Sequence, residues 1–268
     1  MDFICSQADE LRENFINLFG IERLKSLSEK DLLTSLFYND EGTKTNLCYR
    51  LEMDKDIREV FGGISGGSAY KFGLFYHKKI QSWTCGSPLR PIHLTEEEAI
   101  EKAEEIRDNL VIGAEIISSF DTLNSETDYE ELYKQLENIP GINTVWRMKY
   151  YHLLFPTLLA SFYGQDIQLK VLHFLKQNPS SIPFIRMGQI ALFIKKCNIP
   201  GIVFDHIWGK YANDANTVDT SDTNTLSDKK RKTHYWMYTV FDDNSWLECQ
   251  EKGVMVLGME FRKHPIRQ

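Results

Sequence analysis

Phosphate contact is one chemistry that the ionisable residues of this 268-residue chain could perform. Residues 1–140 carry 27 acids and 15 bases (−12), residues 141–211 carry 2 acids and 8 bases (+6), and the remainder carries 9 acids and 8 bases (−1). A chain of formal net charge −7 therefore holds one basic island. Each Lys or Arg that neutralises a phosphate releases condensed counterions, so such an island suits nucleic-acid contact. The competing explanation is that the segment is largely core and for that reason short of acids. Arg147 and Lys149 open the island, within the aromatic segment VWRMKYYHLLFPTLLASFY at 145–163, and a helical reading places both at its polar edge, free to face a partner.

Other constellations are weaker. Glycines at 62, 63, 66, 67 and 73 punctuate FGGISGGSAYKFGLFY. A phosphate cradle needs GxxxxGK[ST] or GxGxxG leading into a helix, and neither spacing is present. The bland reading is turn glycines with positive φ; the sharper one is a loop that lets a DNA backbone approach closely, with Lys71 beside it. The seven histidines show no HExxH or HxH spacing, there is no GxSxG elbow, and the five cysteines include no CxxC pair. No metal, cofactor or disulfide framework is therefore expected. Glu52 with Lys71 is the nearest substitute for the acids and lysine of a metal-dependent nuclease, at a spacing that does not fit. An independent enzyme is the lesser expectation.

The elements that would position these residues are read from periodicity. Apolar residues at 3 and 4 spacing predict helices over 8–19 and again after Ser28, where Asp31 completes a capping box. Leu47, Tyr49, Leu51 and Met53 alternate as in a strand, Tyr70, Phe72, Leu74 and Tyr76 alternate again as in an antiparallel hairpin or meander, and 81–85 adds a short strand. Gly86, Pro88 and Pro91 are taken to close the sheet region. Thr95 with Glu98 caps a long helix to about residue 117, whose crowded glutamates read as a solvated face favoured by the helix dipole. In 145–163, Trp146, Tyr150, Leu153 and Leu154 share one helical face up to Pro156, and a second helical piece carries Leu158, Leu159, Phe162 and Tyr163. Further helices are expected around Val171 and around Ile190, with a short turn over 204–208.

The fold class expected is α+β: a small antiparallel sheet with long helices in the first half, a helical second half, a linker, and a short β-containing C-terminal tail. The expected divisions are an α+β domain over 1–140, a helical domain over 141–211, a flexible linker over 212–233 and a tail over 234–268, with strands over 234–240 and 253–257. Hydrophobic content of 42% and charged content of 26% suit a soluble globular protein. No run approaches the roughly 18 apolar residues of a membrane span, and MDFICSQADEL lacks the pattern of a signal peptide. The expected location is cytoplasmic.

Three segments in order resemble the N-terminal region of McrB-type proteins, the motor and specificity subunits of modification-dependent restriction systems. They are FGGISGGSAYKFGLFY with WTCGS and the helix EEAIEKAEEIRDNLVIGAEII; VWRMKYYHLLFP, which is similar to a W-x-x-KY-x-x-LLFP box; and HYWMYTV, SWLEC and GVMVLGM, similar to the first strands of an EVE-like (YTH-related) domain. The resemblance implies the non-catalytic DNA-targeting portion of a type IV restriction or antiphage defence protein, with DNA, in plain or base-modified form, as partner. It also implies a McrC-like nuclease or a separate AAA-type motor as further partners.

A modified base flipped out of the stack would be held between aromatic side chains, for which the resemblance points to Trp236 and Trp246. Non-specific holding would fall to Lys71, Arg147, Lys149, Lys195, Lys196, Lys229, Lys230, Arg231 and Lys232. The sequence departs from the family in two ways: there is no GxxxxGK[ST], and the family's Gly-Trp strand end is here Gly258-Met259. The expectation is thus an EVE-like domain that is incomplete and a targeting half that is truncated or stands alone without its motor. The alternatives are a divergent metal-dependent nuclease using Glu52 and a protein-interaction scaffold of a defence system.

Overall fold

A computed structural model describes residues 2–38, 44–64, 66, 68–216, 237–238 and 255–256. Its order begins with α1 (Asp2–Phe19), α2 (Ile21–Ser26), α3 (Glu29–Leu36), α4 (Leu47–Glu52) and α5 (Lys55–Phe61). A 3-10 turn (Ala69–Phe72) leads into β1 (Phe75–His77), β2 (Ser82–Ser87) and β3 (Arg90–Leu94). The helices α6 (Glu96–Ser118), α7 (Glu126–Leu136), α8 (Val145–Leu154), α9 (Gln165–Phe174), α10 (Pro183–Lys196) and α11 (Gly201–Asn216) follow. The fold class is α+β, with a three-stranded antiparallel sheet in the order β1-β2-β3 set among these helices. No helix among the described residues is long and apolar enough to cross a membrane.

Local signals explain several boundaries. The Thr95 hydroxyl accepts from Glu98 N (3.2 Å) and the Glu98 carboxylate accepts from Thr95 N (2.8 Å), which is the capping box expected at the start of α6. The box expected at Ser28 does not form through its side chain, although α3 begins there. Ser125 and Asp128 make a reciprocal box at α7 that the sequence reading passed over. The segment 47–53 is a helix instead of a strand: Asn46 caps it by accepting from Tyr49 N (2.8 Å), and Leu47, Cys48 and Leu51 are buried at helical spacing. Between Gly66 and Gly73 the expected hairpin is a 3-10 turn, and the sheet continues through Arg90–Leu94, where closure was expected. Gly86 makes that second hairpin possible. Its φ is +86°, and a Cβ there would sit 2.6 Å from Arg90 O.

The aromatic segment is the axis. Every residue of α8 from Trp146 to Leu153 is buried, so this helix has no polar edge. Tyr150 donates to Phe19 O at the end of α1 (2.9 Å), and the Tyr151 hydroxyl approaches Leu110 O on α6 (3.4 Å) where Gly113 leaves room for it. After Pro156 the chain makes turns through Leu158 and Leu159 in place of a second helix. One apolar cluster extends from Ala8 through this segment to Trp208. The expected short turn at 204–208 lies inside α11, whose last residues take up the first positions of the expected linker. Met237–Tyr238 pairs parallel with Met255–Val256, inside the two strands expected in the tail; the rest of 217–268 lies outside the described residues.

Candidate functional site

The basic island divides into buried and exposed halves. Lys149 is 0% exposed and donates to Leu51 O (2.9 Å) and Gly62 O (2.7 Å), tying α8 to the end of α4 and to the turn after α5. Burial brings its ammonium down to about 7, against a small upward pull from Asp54. Arg147 is 5% exposed, its guanidinium set against the Trp146 ring (5.1 Å) and pushed down by burial. The polar edge assigned to these two residues is therefore corrected: they face the interior because α8 is enclosed on all sides. Arg186 is buried as well, bonded to Gln168 Oε1 (2.9 Å) and to the carbonyls of Ser180 and Ser181.

Lys71 is also committed. Its ammonium donates to Glu52, to Ile64 O (3.1 Å) and to Gly66 O (3.0 Å), which accounts for all three of its hydrogens. The lysine thus closes the glycine-rich loop onto α4. Glu52 in turn accepts from Tyr38 (3.1 Å), whose own ionisation is strongly opposed by burial and by that carboxylate. Among the described residues no three His, Cys, Asp or Glu side chains converge as metal ligands.

Five lysines of the island remain exposed: Lys170 on α9, Lys176 just beyond it, Lys195 and Lys196 ending α10, and Lys210 on α11. Lys195 donates to Asn124 Oδ1 (2.7 Å), which anchors its ammonium at the surface. Of the two acids in 141–211, Asp166 is exposed and Asp205 turns inward. Lys229, Lys230, Arg231, Lys232, Trp236 and Trp246 lie outside the described residues.

Asp205 belongs to a cleft of about 490 Å³ between the turns after α8 and the junction of α10 with α11. His152, Ser161 and Asp205 are its inner polar groups, Leu159 and Ile194 part of its apolar wall, and Lys195 sits at its margin. His152 Nδ1 lies 2.7 Å from Leu159 O; a carbonyl only accepts, so Nδ1 carries the proton and Nε2 is left as the acceptor of a neutral ring. Burial, reinforced by Arg12 and Lys149, lowers this imidazole to about 4. Burial raises the Asp205 carboxyl to about 7, with the Ser161 hydroxyl opposing the shift. His152 Nε2 and Asp205 Oδ1 are both buried without a hydrogen-bond partner among the described residues.

Three residue types of a hydrolytic triad thus line one cleft, but in the wrong order. The imidazole proton goes to a backbone carbonyl, and the serine lies against the carboxyl, so no acid holds the base and no base addresses the serine. What the cleft can do is offer an imidazole acceptor and a carboxyl that changes charge near neutrality. The latter has a measurable consequence. The folded carboxyl titrates near 7 against an ordinary 3.8, so its share of stability is full below about pH 4 and is lost as the pH rises through 7. Asp205→Asn is expected to raise stability by up to roughly 4 kcal/mol at pH 8 and by less than about 1 kcal/mol at pH 4. Urea denaturation at the two pH values checks this, and an equal effect at both would refute it.

Sequence reasoning assigns no chemistry to His152, Ser161 or Asp205. One signal was available: between residues 167 and 211 Asp205 is the single acid. No protein-family model, no curated protein and no solved structure matches the chain.

Proposed function

We propose that this chain is a non-catalytic DNA-targeting module of the McrB-like, modification-dependent kind, acting in the cytoplasm with a McrC-like nuclease or an AAA-type motor as a further partner. The observation that carries the reading is the surface left after folding. Across 141–211 five lysines are exposed against one exposed acid, so the basic excess persists on the surface after three of the eight bases are buried. The ordered resemblance of the Gly-rich, W-x-x-KY-x-x-LLFP and EVE-like segments supports the same reading. The nuclease alternative draws no support from Glu52, whose carboxylate is engaged by Lys71 and Tyr38.

The test is a gel shift with modified and unmodified duplexes over a salt series. Binding is expected at low salt and should weaken steeply between about 50 and 200 mM, with Lys196→Glu and Lys170→Glu each lowering the salt slope by roughly 1. Absence of binding at low salt, or binding indifferent to salt, would overturn the proposal.

A further inference from the structure

Three aromatic rings gather where the end of α9 meets α11. The Phe174 ring centroid lies 4.7 Å from that of Tyr211 and 5.4 Å from that of Trp208, and Trp208 and Tyr211 are 5.6 Å apart. Trp208 is the inner member, nearly buried and edge-on to Phe162 (6.4 Å), which fastens the group to the core. The outer two are open: Phe174 is 40% exposed and Tyr211 42%. Such exposure costs hydration of apolar surface, and two large rings held side by side by a third form a patch that core packing does not require.

The described charges nearest the rings are mostly basic. Lys170 precedes Phe174 by four residues on the same face of α9, Lys176 follows it by two, and Lys210 adjoins Tyr211; all three lysines are exposed, as is His173. Asp166, one turn before Lys170, is the acid on that row. Exposed aromatic faces among lysines fit a ligand with stackable planar groups joined by anions. That is the chemistry of a single-stranded nucleic acid, whose bases present their π-faces and whose phosphates pair with the lysines. In a duplex the bases are stacked on one another, and their faces are out of reach of a surface ring.

We infer that the Phe174–Trp208–Tyr211 cluster is a stacking platform for unpaired bases, with single-stranded DNA as its ligand. The inference rests on the DNA-binding reading above and sharpens it. The lysines hold either form of DNA, whereas the rings distinguish an opened strand from a closed one. Single-strand binding then combines a salt-dependent part from the phosphates with a part from stacking that salt changes little.

The experiment measures fluorescence anisotropy of a labelled oligothymidylate and of a labelled duplex, each titrated with the full chain at low and at moderate salt. The variants are Phe174→Leu and Tyr211→Leu, which keep apolar bulk and remove the π-face, and Tyr211→Phe, which keeps the ring; thermal melting confirms that each is folded. The platform predicts that either leucine variant weakens oligothymidylate binding roughly ten-fold or more, that Tyr211→Phe binds as the parent does, and that duplex binding changes less than two-fold. If the leucine variants bind oligothymidylate like the parent, or the parent binds only duplex, the platform is overturned while the DNA-binding reading stands. If the parent binds neither strand form at low salt, that reading fails and the platform with it.

Discussion

Gly188→Ala is expected to destabilise the protein by roughly 3–5 kcal/mol, a large effect for one added methyl group. Gly188 lies inside α10, where alanine would ordinarily be favoured over glycine by about 1 kcal/mol. Its neighbour reverses the sign. A Cβ at this position would lie 2.2 Å from Cδ1, 2.5 Å from Cε1 and 2.5 Å from Cγ of Tyr129, so it would meet the flat face of the ring on α7. That ring cannot withdraw cheaply, because it is buried and its hydroxyl donates to Leu158 O (2.5 Å) in the turns after α8. The close approach of α7 to α10 therefore depends on the missing side chain. Gly209→Ala in α11 is the control: nothing lies within 4 Å of its Cβ, and a gain of up to about 1 kcal/mol is expected. Urea unfolding of both variants decides the matter, and a Gly188→Ala protein as stable as the parent would show that α7 and α10 do not pack as described.

Lys149→Met is expected to cost roughly 3 kcal/mol at pH 10 and markedly less at pH 7. The high-pH figure comes from the two carbonyls, Leu51 O and Gly62 O, that would be left without their donor. A neutral amine carries two hydrogens, and it has two acceptors here. The pH dependence follows from titration near 7 in the folded protein against an ordinary 10.5. The folded state disfavours the charged form, so the lysine's stabilising share is full above about pH 10.5 and is lost as the pH falls through 7. Methionine has no such slope, and the gap between variant and parent therefore narrows on acidification. Lys149→Ala adds a cavity and should be worse than methionine at every pH. Chemical denaturation at pH 7 and pH 10 would refute this account if the methionine penalty were the same at both.

These two positions also mark how far the sequence was legible. The α+β class and the start and extent of α6 were readable, because a capping box and a 3.6-residue period are local. The segment 47–53 misled because leucines at 47 and 51 satisfy both a two-residue and a four-residue period; Asn46, a capping residue immediately before it, was the signal that decided. Lys149 could not be placed from its own helix. Its acceptors lie 98 and 87 residues away along the chain and are backbone carbonyls, which no side-chain pattern reports. Counting charges likewise located a basic island without telling which charges fold inward. The cleft is assembled from α8, the turn after it and α11, and no spacing connects His152, Ser161 and Asp205. No sequence pattern marks Phe174 and Tyr211 as exposed; it is the burial of their neighbours that leaves these two rings outside.

The enclosure of α8 also bears on how the chain can be made. Tyr150 holds a carbonyl 131 residues earlier, and Tyr163 holds Phe61 O across 102 residues. Contacts of such separation slow folding, since the intervening chain must be ordered before they form. At roughly 5–20 residues per second, α1, α4 and α5 leave the ribosome several seconds ahead of the helix that covers them. For that interval Phe19, Leu51 and Phe61, each buried at the end, have no α8 to pack against. The nascent first half is therefore the stage at which this protein would be sticky, and a chaperone that binds short apolar stretches would find its work there, before residue 145 has been added.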